Sequence, residues 1–399
     1  MLTLARVLAI GCLLSGCSVI DALGGGGAGD DDDDDDDIQC PVVVCYLSPD
    51  SYDPGFEPEF VVSGELDTTG GLDLAIVGAD GPISYLFHDG TLDPGDFGDP
   101  VASGDGFNIS PTHIAVADFD NNGFDEVLGS AEGVEVYAET NANPFGGAVD
   151  APGVLATGDF NGDDFDDVAV IDNDNAQVII LFGRDADAFD ANTTVLDTTF
   201  QAGALAAGDF DGDDDLDIAI TTFKPDSKLL VFDNDGNGVF TAQIPFDPCL
   251  DDCPATGVEH LVGLIAGDFD GDGNDDLAVL ADCQDDCPSF YNRIRILGAI
   301  GTDNFFAATF IELDNPALAI AAADLDDDST IDLVWQDGLS PSTLYLVHED
   351  RLGGPGDIGT LELPAASTDI ELVDLNGDGK AEIILAAPDL IDILTTVEP

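Results

Sequence analysis

The sequence predicts an all-β fold, a seven-bladed β-propeller, on three observations. An Asp-rich segment recurs seven times at fairly even intervals. Short β-branched and aromatic runs flank every copy. No stretch of the chain sustains a long helical period. The 399 residues are 44% hydrophobic, enough to build a core. Eight Lys and Arg face 83 Asp and Glu, for a formal net charge of -75. Nothing in such a chain can neutralise a phosphate backbone, so nucleic acid is excluded as a partner. Metal cations and basic surfaces suit it instead.

The first residues stand outside the fold. "MLTLARVLAIGCLLSGC" carries Arg6, then an apolar stretch, then small residues before Cys17. It has the composition of an export signal and is too short to span a bilayer permanently. Leu14-Ser15-Gly16-Cys17 resembles the lipobox of bacterial lipoproteins. The resemblance implies a signal peptide over 1–16, cleaved before Cys17, and lipid attachment to Cys17. Ser18 rather than Asp follows, which implies the outer membrane, on its periplasmic side or at the cell surface. Residues 17–37 read as a disordered linker. Four consecutive Gly lose too much entropy on ordering, and eight consecutive Asp repel one another.

The propeller is expected over 38–397. The seven copies start at Glu65, Asp118, Asp159, Asp209, Asp268, Asp324 and Asp374, 41 to 59 residues apart. In each unit an apolar run such as "HIAVA" precedes the polar loop. A second run follows it, then turn residues, then a third run such as "QVIILFG", then a variable alternating stretch. Four short strands per unit of about fifty residues match a propeller blade. After the last loop there is room for only two strands. The apolar run "PVVVCYL" at 41–47 is therefore expected to supply the missing outer strand and close the ring, removing exposed sheet edges.

These loops and their setting resemble the FG-GAP or VCBS repeats of integrin-alpha-type propellers, over residues 41–397. The resemblance implies a seven-bladed ring with a calcium-type loop between the first and second strands of each blade.

The chemistry of the loop can also be read directly. Numbered from its first acid, each copy places oxygens at positions 1, 3, 5 and 9, with a backbone carbonyl expected from position 7. The fifth copy gives Asp268, Asp270, Asp272, Asn274 and Asp276; the fourth gives Asp209, Asp211, Asp213, Asp215 and Asp217. The sixth gives Asp324, Asp326, Asp328, Thr330 and Asp332, and the third gives Asp159, Asn161, Asp163, Phe165 and Asp167. The seventh gives Asp374, Asn376, Asp378, Lys380 and Glu382, and the second gives Asp118, Asp120, Asn122, Phe124 and Glu126. The first departs most, with Glu65, Asp67 and Asp73.

Alternating oxygen donors converging on one centre are the pattern of a hard cation. Without one, the carboxylates repel; a divalent ion reverses that sign. A flexible, carboxylate-rich loop suits calcium better than magnesium, and up to seven calcium ions are expected. The absence of Cys and His from the loops disfavours zinc and copper. An EF-hand would need an acid at position 12 and flanking helices, but position 12 is Val279 in the fifth copy and Ile220 in the fourth. Glycine at position 4 or 6 supplies the tight turn. The apolar residue at position 2 (Leu66, Phe119, Phe160, Phe210, Phe269, Leu325 or Leu375) is expected to pack between neighbouring sheets.

Six cysteines remain after Cys12 and Cys17: Cys40, Cys45, Cys249, Cys253, Cys283 and Cys287. Export permits disulfides, which are expected. Cys40 and Cys45 bracket the closing strand. "CLDDC" and "CQDDC" can cross-link to each other, close local loops or form a four-Cys metal site. The four histidines are scattered, and no nucleophile elbow, phosphate loop or dinucleotide fingerprint occurs. The function expected is therefore a calcium-binding, lipid-anchored, monomeric envelope propeller. It would act as a non-catalytic binding or adhesion module for protein or carbohydrate. The alternatives are an enzyme acting on polysaccharide at the propeller channel, or a purely structural envelope component.

Overall fold

A computed structural model describes residues 11–13, 44–46 and 50–397, the last with gaps of which 138–153 and 247–257 are the longest. Every regular element named in it is a strand. Among the described residues there are eight antiparallel sheets, of which seven follow one another along the chain and the eighth joins Gly11–Leu13, Val44–Tyr46 and Thr396–Val397. The first comprises Pro58–Gly64, Asp73–Gly78, Ile83–Leu86 and Val101–Ala102. The second comprises His113–Ala117, Glu126–Ser130 and Val134–Tyr137, three strands among the described residues. The third to sixth have four strands each and begin with Leu155–Gly158, Ala202–Gly208, Val258–Gly267 and Ala317–Ala323. The seventh takes Ile370–Val373, Glu382–Ala387 and Leu390–Leu394 from the end of the chain. Its fourth strand, Asp50–Tyr52, comes from the beginning.

The burial pattern explains the sequence grammar. Second strands such as Asp73–Gly78, Asp167–Asp172 and Asp217–Thr222 are buried at every residue. A strand covered on both faces reads as a continuous apolar run rather than an alternation. Outer strands such as Thr193–Asp197 and Phe240–Ala242 are largely exposed, so their sequences are variable and polar.

The cores lie between sheets. Phe160 packs with Ile171, Val178 and Ile180 of the third sheet and Leu205, Ile218 and Ile220 of the fourth. Every position-2 residue occupies the equivalent place at the junction with the following sheet: Leu66, Phe119, Phe210, Phe269 and Leu325 in turn. Leu375 does so between the seventh sheet and the first, beside Val61, Leu74 and Ile76. All seven are at most 3% exposed. Burying a Leu or Phe side chain contributes about 1.5–3 kcal/mol, so these residues join the sheets as well as anchoring the loops.

Two expectations need correction. The strand that completes the seventh sheet is Asp50–Tyr52, paired through Ile391–Ile393, and not the apolar run at 41–47. Within that run, Val44–Tyr46 pairs with Thr396–Val397 and with Gly11–Leu13, inside the segment read as an export signal. Outer strands are exposed, so hydrophobicity was a poor guide to which segment would fill that place. The disulfide expectation is also overturned: among the described residues no Sγ–Sγ pair lies at or near bonding distance. In backbone register Cys283 lies within Asp276–Asp285 opposite Glu259, and Cys45 within Val44–Tyr46 opposite Cys12 and Val397. Cys17, Cys40, Cys249, Cys253 and Cys287 lie outside the described residues.

Candidate metal centre

The seven loops all connect the first strand of a sheet to the second, and six of them share one backbone geometry. In the second to seventh loops both position 4 and position 6 have positive φ. Gly271 and Gly273 of the fifth loop lie at 72° and 94°. The sixth loop holds Asp327 and Ser329 at 64° and 68°, where side chains other than Gly and Asn are disfavoured. Two left-handed residues two apart turn successive amides inward. The position-1 carboxylate collects them: Asp268 Oδ1 accepts from Gly271 N at 2.7 Å and Asp272 N at 3.1 Å, and Oδ2 accepts from Gly273 N at 3.0 Å. Asp159, Asp209 and Asp374 repeat the arrangement. The position-5 carboxylate accepts from the position-7 amide, as Asp272 does from Asn274 at 2.9 Å. Phe165, Asp215, Thr330 and Lys380 donate in the same way to Asp163, Asp213, Asp328 and Asp378, and Phe124 donates to the Asn122 side chain.

Position 9 is a different kind of acid. It begins the buried second strand: Asp73, Asp167, Asp276 and Glu382 are 0% exposed. Asp276 Oδ2 accepts from Phe269 N at 3.1 Å, and Oδ1 from Ala299 N at the end of the third strand at 2.7 Å. Asp217 bridges Phe210 N and Asn234 N, Asp167 bridges Phe160 N and Gly183 N, and Asp73 bridges Leu66 N and His88 N. In these four loops position 9 therefore ties three segments of a sheet together through hydrogen bonds alone.

Burial, reinforced by neighbouring carboxylates, raises these acids well above the ordinary range. Asp167, Asp217 and Asp276 are pushed to about 7, Asp73 to about 6, and Glu126 and Glu382 to about 8; the backbone amides offset only part of the cost.

Positions 1, 3 and 9 converge. One carboxylate oxygen from each of Asp118, Asp120 and Glu126 lies within 4.8 Å of the others. So do those of Asp209, Asp211 and Asp217, of Asp268, Asp270 and Asp276, and of Asp324, Asp326 and Asp332. The donors are all oxygen, on a loop whose turn is already fixed by its own amides, which fits a hard cation. Glu382 adds a further sign at the seventh loop. Its Oε2 accepts from Leu375 N at 2.9 Å, while its buried Oε1 has no hydrogen-bond partner among the described residues. Such an oxygen is costly unless something positive meets it.

The remaining loops differ. In the third, the Asn161 amide donates to Asp167 at 3.2 Å, which relieves the crowding at positions 3 and 9 without an ion. In the first, Glu65, Asp67 and Asp73 all carry carboxylates but form no converging trio among the described residues.

Position 8 carries a role the loop pattern did not reveal. Asp275 Oδ2 accepts from Asp209 N at 3.0 Å, and Asp275 N donates to Asp209 O at 2.8 Å. Asp125 links in the same way to Glu65, and Asp166 to Asp118. The first acid of each adjacent pair thus clamps its loop to position 1 of the preceding one. Burial raises all three above the usual carboxylate range. The signal in sequence was an Asp at position 8 in three copies, hidden beside the acid at position 9.

No family model matches this sequence, and no curated protein matches it either. Among solved structures, it is similar to a β-propeller protein described as BBS1N in complex with ARL6DN, soaked with lead. The TM-score is 0.57 at 14% sequence identity, over 89% of this chain and 97% of that one. At that identity the likeness concerns the fold.

Proposed function

We propose that the seven sheets close into a seven-bladed propeller of the FG-GAP/VCBS type whose loops hold calcium, up to seven ions. The chain is then an exported module, lipid-anchored through Cys17 at the outer membrane and monomeric. It binds protein or carbohydrate without catalysis. The observation that carries the reading is the four carboxylate trios, each formed by positions 1, 3 and 9 of one loop. The inter-sheet core joining the last sheet to the first and the Asp50–Tyr52 strand support closure. The net charge of -75 favours cationic over nucleic-acid partners. A rigid ring stabilised by ions presents its long connections as a fixed recognition face.

Ligand that binds only the folded state stabilises it, by about 2.7 kcal/mol per site at a hundredfold excess over Kd. Melting in calcium and in EDTA tests the reading. The expected result is a Tm lower by at least ~5 °C in EDTA. Superimposable melts would overturn it.

A further inference from the structure

The junction between the last sheet and the first differs chemically from the others. Three residues before the loop, the innermost strands carry Val62, Ala115, Ala156, Ala206, Ile265 and Ala321, but Glu371 in the seventh. Five residues before the loop, the only acid is Asp369. These two acids reach across to the innermost strand of the first sheet, more than 300 residues away. Asp369 Oδ2 accepts from Val61 N at 3.1 Å. Glu371 Oε1 accepts from Ser63 N at 3.3 Å and Ser63 Oγ at 2.7 Å. Beside them, Thr368 Oγ1 donates to Pro58 O at 3.1 Å. Residues two apart on a strand point the same way, and the amides they meet are also two apart. The pair therefore covers an edge that its own sheet leaves unpaired.

We propose that Asp369 and Glu371 form a proton-controlled latch at this seam, shut when the carboxyls are neutral and loosened when both ionise. A neutral carboxyl still accepts the Val61 and Ser63 hydrogen bonds through its carbonyl oxygen, whereas two carboxylates on one face repel. Glu59, on the facing strand Pro58–Gly64, adds its charge against Asp369. Ala317–Ala323, packed on the other side, contributes no titratable group. Within Glu382–Ala387 the only one is Glu382, opposite Val373 at the loop end. Burial raises Asp369 to about 6 and Glu371 to about 7, with their mutual charge and Glu59 adding to the effect, so the pair changes state around neutral pH. For carboxyls raised in the folded state, the latch is firm at low pH and weakens as pH rises through those values. Neither acid belongs to the cation loops, so the latch does not rest on calcium binding.

Hydrogen exchange on the full chain, in excess calcium and corrected for intrinsic rates, tests this at about pH 5.5 and about pH 8.5. The expected result is at least ~10-fold lower protection over 58–64 and 390–394 at the higher pH, the equivalent of one pKa unit. The innermost strand Ala202–Gly208, which has no such acids, should change by less than ~2-fold. In D369N/E371Q most of that pH response should vanish, leaving only the part that Asp73, opposite Gly64, contributes. Equal seam protection in the unmodified chain overturns the proposal, as does an undiminished pH response in that variant. If the variant fails to fold, the comparison of the seam with 202–208 in the unmodified chain decides alone.

Discussion

Removing calcium should make stability fall steeply as pH rises, and the size of the fall follows from the position-9 acids. Asp276 is fully buried, and its pKa rises from 3.8 unfolded to about 7 folded. One unit corresponds to about 1.36 kcal/mol, so a shift of about three units costs the ion-free fold about 4 kcal/mol once the group is ionised. The sign follows from proton counting. Between the two pKa values the folded state holds more protons than the unfolded one, so stability declines with pH across that window and levels off above about 7. At about pH 5 only about 1.6 kcal/mol of the cost is felt, leaving about 2–3 kcal/mol to appear by about pH 8. Asp167 and Asp217 are as deeply buried and raised as far, so the combined effect rivals the whole stability of an ordinary domain. A cation at each loop would cancel it. Urea unfolding in EDTA should therefore give a midpoint that drops markedly between about pH 5 and about pH 8, while in calcium the drop should shrink by the part that the position-9 acids contribute. Equal stability of the chelated protein at both pH values would refute the reasoning.

Other outcomes follow from single residues. Phe160→Ala empties a fully buried site between the third and fourth sheets, next to the Phe240 ring at 6.1 Å. It should cost about 3–5 kcal/mol by chemical denaturation. Asp275→Ala removes the side-chain half of the clamp on Asp209 and leaves the backbone half, so a loss of about 1–3 kcal/mol is expected by the same measurement. Asp268→Ala with Asp272→Ala should lower the bound calcium found by metal analysis by one ion, leaving the other loops loaded. An unchanged count would show that the fifth loop binds none.

Much of this was legible in sequence, for identifiable reasons. The loops are rigidly spaced from position 1 to position 9 because position 9 must reach the amide of position 2, and that fixed register exposed the repeat. The position-2 residues stood out because each fills the same gap between sheets. Other features escaped because they depend on contacts between units rather than on spacing within one. The clamp at position 8 is Asp in three loops but Leu72, Leu216, Ile331 and Ala381 elsewhere, so no repeat signal marks it. The second task of position 9, holding the amide at the end of the third strand, spans 15 to 23 residues of variable sequence. The outermost strand of the seventh sheet was misplaced because exposed strands carry little hydrophobic pattern, and three paired residues sufficed. Asp369 and Glu371 looked like two more acids in a chain with 83 of them, and only the fold brings them to Val61 and Ser63.

The central claim is that each carboxylate trio grips a hard cation and so stabilises the sheets it joins. A high-resolution crystal structure grown in millimolar calcium tests it most directly, because ions and ligands are seen together. At least four ions should appear, at Asp118–Asp120–Glu126, Asp209–Asp211–Asp217, Asp268–Asp270–Asp276 and Asp324–Asp326–Asp332. Ordered loops at those four places with no ion among their carboxylates would contradict the account.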